Sequence, residues 1–260
     1  MRKRQIPRLM PMGVAVPMLA LILSVLPMTQ ARAQVVCPPP PTSTLDSDGD
    51  GFSDAEEFCG ITLLDGALVS MNPNTKDLFI IVLPATPSRL PADPAEFISK
   101  PQAQGGLGII THLIGPSQVP GPDRLVGLTQ KAVSVTESSD TNGQVAGECP
   151  WGTANDPLAL CVVYTKKIED FVTSVYASVG QAAPADVIVK YKKHTFAHET
   201  MHGAGRLTRD SNSRFGGHHY KSGSNAIHDQ SVIYTVKGGT VTFIIGTNFT
   251  DADKGDATLK

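Results

Sequence analysis

The four cysteines of this 260-residue chain include no Cys-x-x-Cys pair, which argues against a Cys₄ metal cluster. Positive charge is not in excess either. Twenty-two basic residues face 24 acidic ones, for a net charge of −2, so the chain has no electrostatic footprint for nucleic acid, which is excluded as a partner. The apolar run from Met12 to Leu26 is too short for a comfortable membrane span. A single aspartate-rich segment has no second copy, so no repeat array can be built from it. What is present is an ordinary globular composition, 41% hydrophobic, with enough length for a real core.

The first 33 residues read as a secretory signal. Arg2-Lys3-Arg4 and Arg8 precede the apolar run, and Ala31-Arg32-Ala33 before Gln34 forms an Ala-x-Ala cleavage site. Val35-Val36 before Cys37 is not a lipoprotein box, so the expected product is soluble, secreted or periplasmic, with no stable membrane insertion. Cleavage after Ala33 would remove five basic residues and no acidic ones, taking the net charge to about −7. In an exported chain, Cys37, Cys59, Cys149 and Cys161 read as two disulfides. Three connectivities exist, and proximity favours Cys37–Cys59 with Cys149–Cys161. The expected organisation is a signal peptide (1–33), a small N-terminal segment (34–75) and a larger domain (76–260).

The small segment carries Asp46-Ser47-Asp48-Gly49-Asp50-Gly51-Phe52-Ser53-Asp54-Ala55-Glu56-Glu57. This matches an EF-hand calcium loop at every ligand position: Asp46, Asp48 and Asp50 as side-chain donors, Phe52 through its carbonyl, Asp54 through water, and Glu57 with both oxygens. So many carboxylates repel one another without a cation. The loop resembles the calcium repeats of thrombospondin type 3 and similar bacterial modules, which implies a structural Ca²⁺.

From Lys76 the pattern predicts strands at Leu78 to Leu83, Gly108 to Ile114, Leu125 to Val135 and Leu158 to Tyr164. His112 is expected to be a packed core histidine. A short helix is expected at Pro94 to Ser99, and an amphipathic one of about 14 residues from Ile168 to Val179. Gly238-Gly239 between Ser231 to Lys237 and Thr240 to Gly246 signals a hairpin. Asp251, Asp253 and Asp256 read as a solvated tail or a second calcium site.

The chemistry lies in Thr195-Phe196-Ala197-His198-Glu199-Thr200-Met201-His202-Gly203-Ala204-Gly205. On a helix, residues four apart share a face, so His198 and His202 can clamp one metal, with Glu199 one step round as a general base. Imidazole, carboxylate and water together favour Zn²⁺. Pro184-Ala185-Asp186 opens the expected helix, and Gly203 and Gly205 are expected to stop it after about 16 residues.

This stretch resembles the metzincin metalloproteases, whose pattern continues as His-x-x-Gly-x-x-His. The glycine is kept, but the next ligand position holds Thr208. The third ligand is expected in Phe215-Gly216-Gly217-His218-His219-Tyr220, with His219 first and His218 as its alternative; an inserted loop there is known in the leishmanolysin-like branch. Metzincins also carry a methionine turn beneath the metal. The corresponding run, Ser222 to Val232, has no methionine. His228 stands there as a ligand, a residue behind the ligands or a surface histidine.

The resemblance implies an α+β domain with a twisted mixed sheet and an active-site helix, whose edge strand pairs with extended substrate. It also implies a zinc-dependent endopeptidase acting on a protein or peptide substrate. Tyr220, beside the expected third ligand, reads as a packing or surface tyrosine or as a stabiliser of the oxyanion. The alternative is a calcium-stabilised surface or adhesion protein with a structural or vestigial zinc site.

Overall fold

A computed structural model describes residues 45–119, 132–142, 145–149, 160–207, 225–228, 232–256 and 259. The first element is a six-residue helix, α1 (Asp54–Cys59). It begins in a capping box in which Ser53 accepts from the Glu56 amide while the Glu56 carboxylate accepts from Ser53. A short antiparallel pair follows, β1 (Ile61–Thr62) and β2 (Leu68–Val69).

The main sheet begins at β3 (Asp77–Leu83) and continues through β4 (Ile110–Ile114), β5 (Val133–Ser138), β6 (Gly147–Glu148) and β7 (Leu160–Tyr164). Its order is β4-β3-β5-β7-β6. The first four strands in that order run parallel, and β6 lies antiparallel on the edge beside β7. The runs at 78–83, 108–114 and 158–164 therefore become strands much as expected. The fourth differs: β5 starts only at Val133, and residues 120–131 lie outside the described ones.

Alternation along β3 explains why its whole run is apolar. Leu78 and Ile80 join a core with Val133, Val135, Val163, Ile168, Val172, Phe196 and Met201, while Phe79 and Ile81 join a second one with Phe52, Ile61, Leu63 and Ile114. A strand buried on both faces cannot alternate polar and apolar residues. The second core ties the aspartate-rich segment to the sheet, and residues 37–260 form one unit by their internal contacts.

The first core is roofed by α2 (Glu96–Ser99), α3 (Thr165–Ala177) and α4 (Ala185–Leu207). Helix α3 buries Ile168, Val172, Val175 and Tyr176, the stripe read from spacing. Helix α4 corrects the expected stop. It runs for 23 residues, through Gly203 and Gly205, because Gly203 serves approach rather than termination. A Cβ there would lie 2.6 Å from Val133 Cγ1 and 2.8 Å from Cys161 Sγ, so only a bare Cα lets the helix cross β5 and β7 this closely.

Polar ties fix the helix further. Buried Lys192 donates to the Arg89 carbonyl (2.6 Å) and the Glu169 carboxylate (2.6 Å), and Arg89 also reaches Glu169 (2.7 Å). Lys193 pairs with Glu96.

The hairpin is β8 (Ile233–Lys237) and β9 (Thr240–Ile244), turning through Gly238 (φ 57°) and Gly239 (φ 78°). Two successive left-handed residues suit glycine at both positions. The last helix, α5 (Asp251–Asp256), replaces the solvated tail expected there. The architecture is α+β with a mixed sheet. Among the described residues, no helix is long and apolar enough to cross a membrane.

Candidate metal centre

Three histidines of α4 are buried in one row, His194, His198 and His202, and Glu199 is buried one step round the helix from His198. The chain after the helix returns beneath them. Asn225–His228 is held against the strand end at Gly246–Asn248, with the Ile227 amide donating to the Asn248 carbonyl at 2.9 Å. His194 Nδ1–H donates to the Gly246 carbonyl (2.9 Å), and His198 Nδ1–H to the Ile227 carbonyl (2.7 Å).

That second bond decides the tautomer of His198. With the proton on Nδ1, its Nε2 carries a lone pair, the form that binds a metal. Nε2 of His198 and Nε2 of His202 are 3.0 Å apart. Two ligands on one tetrahedral zinc, with bonds of about 2.05 Å, would stand roughly 3.3 Å apart, so the pair fits that ion. Burial first, and then the imidazoles of His228, His202 and His194, hold the His198 pKa well below the usual histidine range. The ring is therefore neutral, as a ligand must be.

Glu199 lies under the sheet edge. A Cβ on Gly147 of β6 would stand 2.7 Å from Glu199 Cγ, Glu199 Oε1 and Thr195 Cγ2, so the carboxylate stem packs against the backbone of the edge strand. At its next residue, Glu148 accepts a hydrogen bond from Tyr164. That bond is the main reason the phenol pKa is pushed up to about 12.

His228 corrects the surface reading. It is 1% exposed, and its ring lies 5.3 Å from that of His198 and 5.2 Å from that of His202. Behind it stand Phe249 (5.7 Å) and the buried Asp253, whose Oδ1 is 3.7 Å from Nδ1. Burial acts to raise the Asp253 pKa, but the nearby His228 imidazole and the hydrogen bonds from Thr250 outweigh it and hold the group below the usual carboxylate range. Asp253, expected in a solvated tail or a second calcium site, is buried behind His228 instead. Thr250-x-x-Asp253, a capping box, was the sequence signal for a helix start there. Asp251 is exposed and pairs with Lys254. His218, His219 and Tyr220 lie outside the described residues.

The second cluster is the acidic loop. The three oxygen donors Asp46, Asp48 and Asp50 lie within reach of a common ion, and so do Asp50, Glu57 and Asp77. Asp46 accepts from the amides of Gly49 (2.7 Å), Asp50 (3.2 Å) and Gly51 (3.1 Å), which shapes the turn. Both oxygens of Asp48 and both of Glu57 are buried and accept no hydrogen bond. Burial, with the neighbouring aspartates second, raises the pKa of Asp48, that of Asp50 to about 6 and that of Glu57 to about 8. These residues fit a hard cation that takes oxygen ligands, such as Ca²⁺.

Asp54 accepts from Ser47 at both oxygens, through the amide (2.7 Å) and the hydroxyl (2.7 Å). Phe52 is fully buried, with its amide on Asp50 Oδ1 (2.8 Å). His112 is packed as expected, stacked on Phe79 at 4.6 Å, but it also binds the Asp77 carboxylate.

Of the disulfides, Cys149–Cys161 is formed and joins β6 to β7. Cys59 is also disulfide-bonded, while Cys37 lies outside the described residues. Compared with protein-family models, with curated proteins and with solved structures, the chain matches none.

Proposed function

We propose that the chain is an exported zinc-dependent metalloendopeptidase. The observation that carries this reading is the convergence of the His198 and His202 Nε2 atoms, 3.0 Å apart, on the helix that also presents Glu199 to the edge strand. His198 and His202 would hold zinc. We assign the third ligand to His219, as the metzincin resemblance implies, with His228 packed beneath in the place of the family's methionine. Zinc, when bound, supplies Lewis acidity toward a water and the scissile carbonyl.

The remaining work falls to the chain's own groups. Glu199 accepts the proton of the attacking water and returns it to the departing amine. Strand β6 is the edge of the sheet order, so an extended peptide can add there by main-chain hydrogen bonds. Gly147 keeps that edge close to the Glu199 carboxylate. The expected oxyanion stabiliser is Tyr220.

The burial of His228 against both imidazoles favours one second reading, a surface or adhesion protein with a closed, structural zinc site. Zinc content and casein proteolysis, measured in calcium on wild type and Glu199→Gln, separate the two. One zinc per chain, with turnover in the wild type and none in the variant, supports the peptidase. Full activity in Glu199→Gln would sink the mechanism. Tight zinc without any wild-type activity would favour the structural site.

A further inference from the structure

In a calcium loop of this length the ninth position, here Asp54, reaches the ion, often through water. Both Asp54 oxygens also accept from Ser47, so this carboxylate is shared with the loop's own backbone and hydroxyl. On the opposite side of the cluster stands a carboxylate the loop pattern does not contain: Asp77, the first residue of β3 and fully buried. Its amide donates to Asp50 Oδ2 at 2.6 Å, which places it against the loop. Its own oxygens share a common reach with those of Asp50 and Glu57.

Glu57 supplies the independent sign of a ligand. It is 1% exposed, and neither of its oxygens has a hydrogen-bond partner. A carboxylate placed beside two other carboxylates, out of water and unpartnered, is unfavourable unless a cation joins them.

We propose that Asp77 is a direct ligand of the cation held by the 46–57 loop, adding from the sheet an inner carboxylate to a shell that Asp54 reaches only through water. The inference rests on reading that loop as a calcium site. His112 holds Asp77 Oδ1, and the Asn72 amide makes a long contact with Oδ2 (3.4 Å), so the carboxylate is fixed in place beside Asp50 and Glu57. The cation then fastens α1 to the start of β3, whose parallel partner β5 lies under α4.

Calorimetric titration of the chelator-treated full chain with CaCl₂ tests this on wild type, Asp77→Asn and Asp54→Asn. Losing a charged inner ligand should weaken calcium binding by about tenfold or more in Asp77→Asn, while Asp54→Asn changes it by less than about threefold. Wild-type affinity in Asp77→Asn, or a larger loss in Asp54→Asn, overturns the inference and leaves the loop reading standing. No calcium binding by the wild type sinks the loop reading itself. Should Asp77→Asn fail to fold, a crystal structure of the calcium-loaded wild type decides. An Asp77 oxygen about 2.3–2.6 Å from the ion supports the proposal, and one outside its inner shell overturns it.

Discussion

Gly147 and Glu199 touch so closely that a single added carbon on Gly147 would stand 2.7 Å from the Glu199 carboxylate oxygen. The two come from unrelated parts of the chain, a two-residue edge strand and the middle of α4, and their contact sets where the proposed general base can point. Replacing Gly147 by Val should displace the base without touching either histidine. We expect peptidase turnover to fall by about 10² or more, the scale of a lost general base, with zinc content unchanged. Unaltered turnover in a folded Gly147→Val chain would show that β6 does not place Glu199.

His228 yields a prediction about metal rather than rate. If its ring is the floor under His198 and His202, then His228→Met, which restores the flexible apolar residue metzincins use, keeps one zinc per chain, and His219→Ala loses it. Zinc content by elemental analysis reads both. Loss of zinc in His228→Met together with retention in His219→Ala would make His228 the third ligand and Asp253 its hydrogen-bond partner.

Glu137, buried on β5, governs behaviour in acid. It accepts four hydrogen bonds: from the amides of Ala85 (3.0 Å) and Arg89 (2.6 Å) and the hydroxyls of Ser88 (2.7 Å) and Thr165 (2.8 Å). Burial alone would raise its pKa, yet these donors outweigh it and hold the group below the usual range. A depressed folded pKa means the stabilisation is fully present above the unfolded value, about 4.3, and is lost as pH falls through the folded one. Thermal melts of wild type should therefore drop in that acid window. Glu137→Gln should lower stability at neutral pH by roughly 2–3 kcal/mol and flatten the drop. A variant as acid-sensitive as wild type would remove Glu137 from the account.

The sequence showed the helices and strands wherever local pattern decided them: the stripe on α3, the apolar run of β3, the paired glycines between β8 and β9. Contacts between distant segments left no such trace. Asp77 reads as the first residue of a strand, and nothing local says it faces Glu57, 20 positions earlier. His228 lies 26 positions beyond His202, and its burial depends on Phe249 and Asp253, supplied by a segment whose three aspartates read as a solvated tail. Gly203 misled in the other direction. Glycine near a helix end usually marks the stop, and here it marks where α4 passes the Cys149–Cys161 bridge. Strand β6, two residues long, is below any periodicity. Yet it carries Gly147.

Glu57 gives the sharpest test of the acidic loop, because the charge that binds calcium should harm the chain without it. Both oxygens are buried with no hydrogen-bond partner, and burial together with Asp48, Asp50 and Asp77 pushes its pKa up to about 8. In chelator and mildly alkaline buffer, where the group must ionise, it is an uncompensated buried charge, and removing it relieves the fold. Glu57→Gln should then melt higher than wild type, by a few degrees. Added calcium should reverse the order: the wild type gains stability by preferential binding to the folded state, and the variant, lacking the ligand that closes the shell with two oxygens, gains little. Melting curves with and without calcium read both halves. A variant less stable than wild type in chelator would mean that Glu57 has a partner among the chain's own groups, and that its carboxylate is structural without any ion.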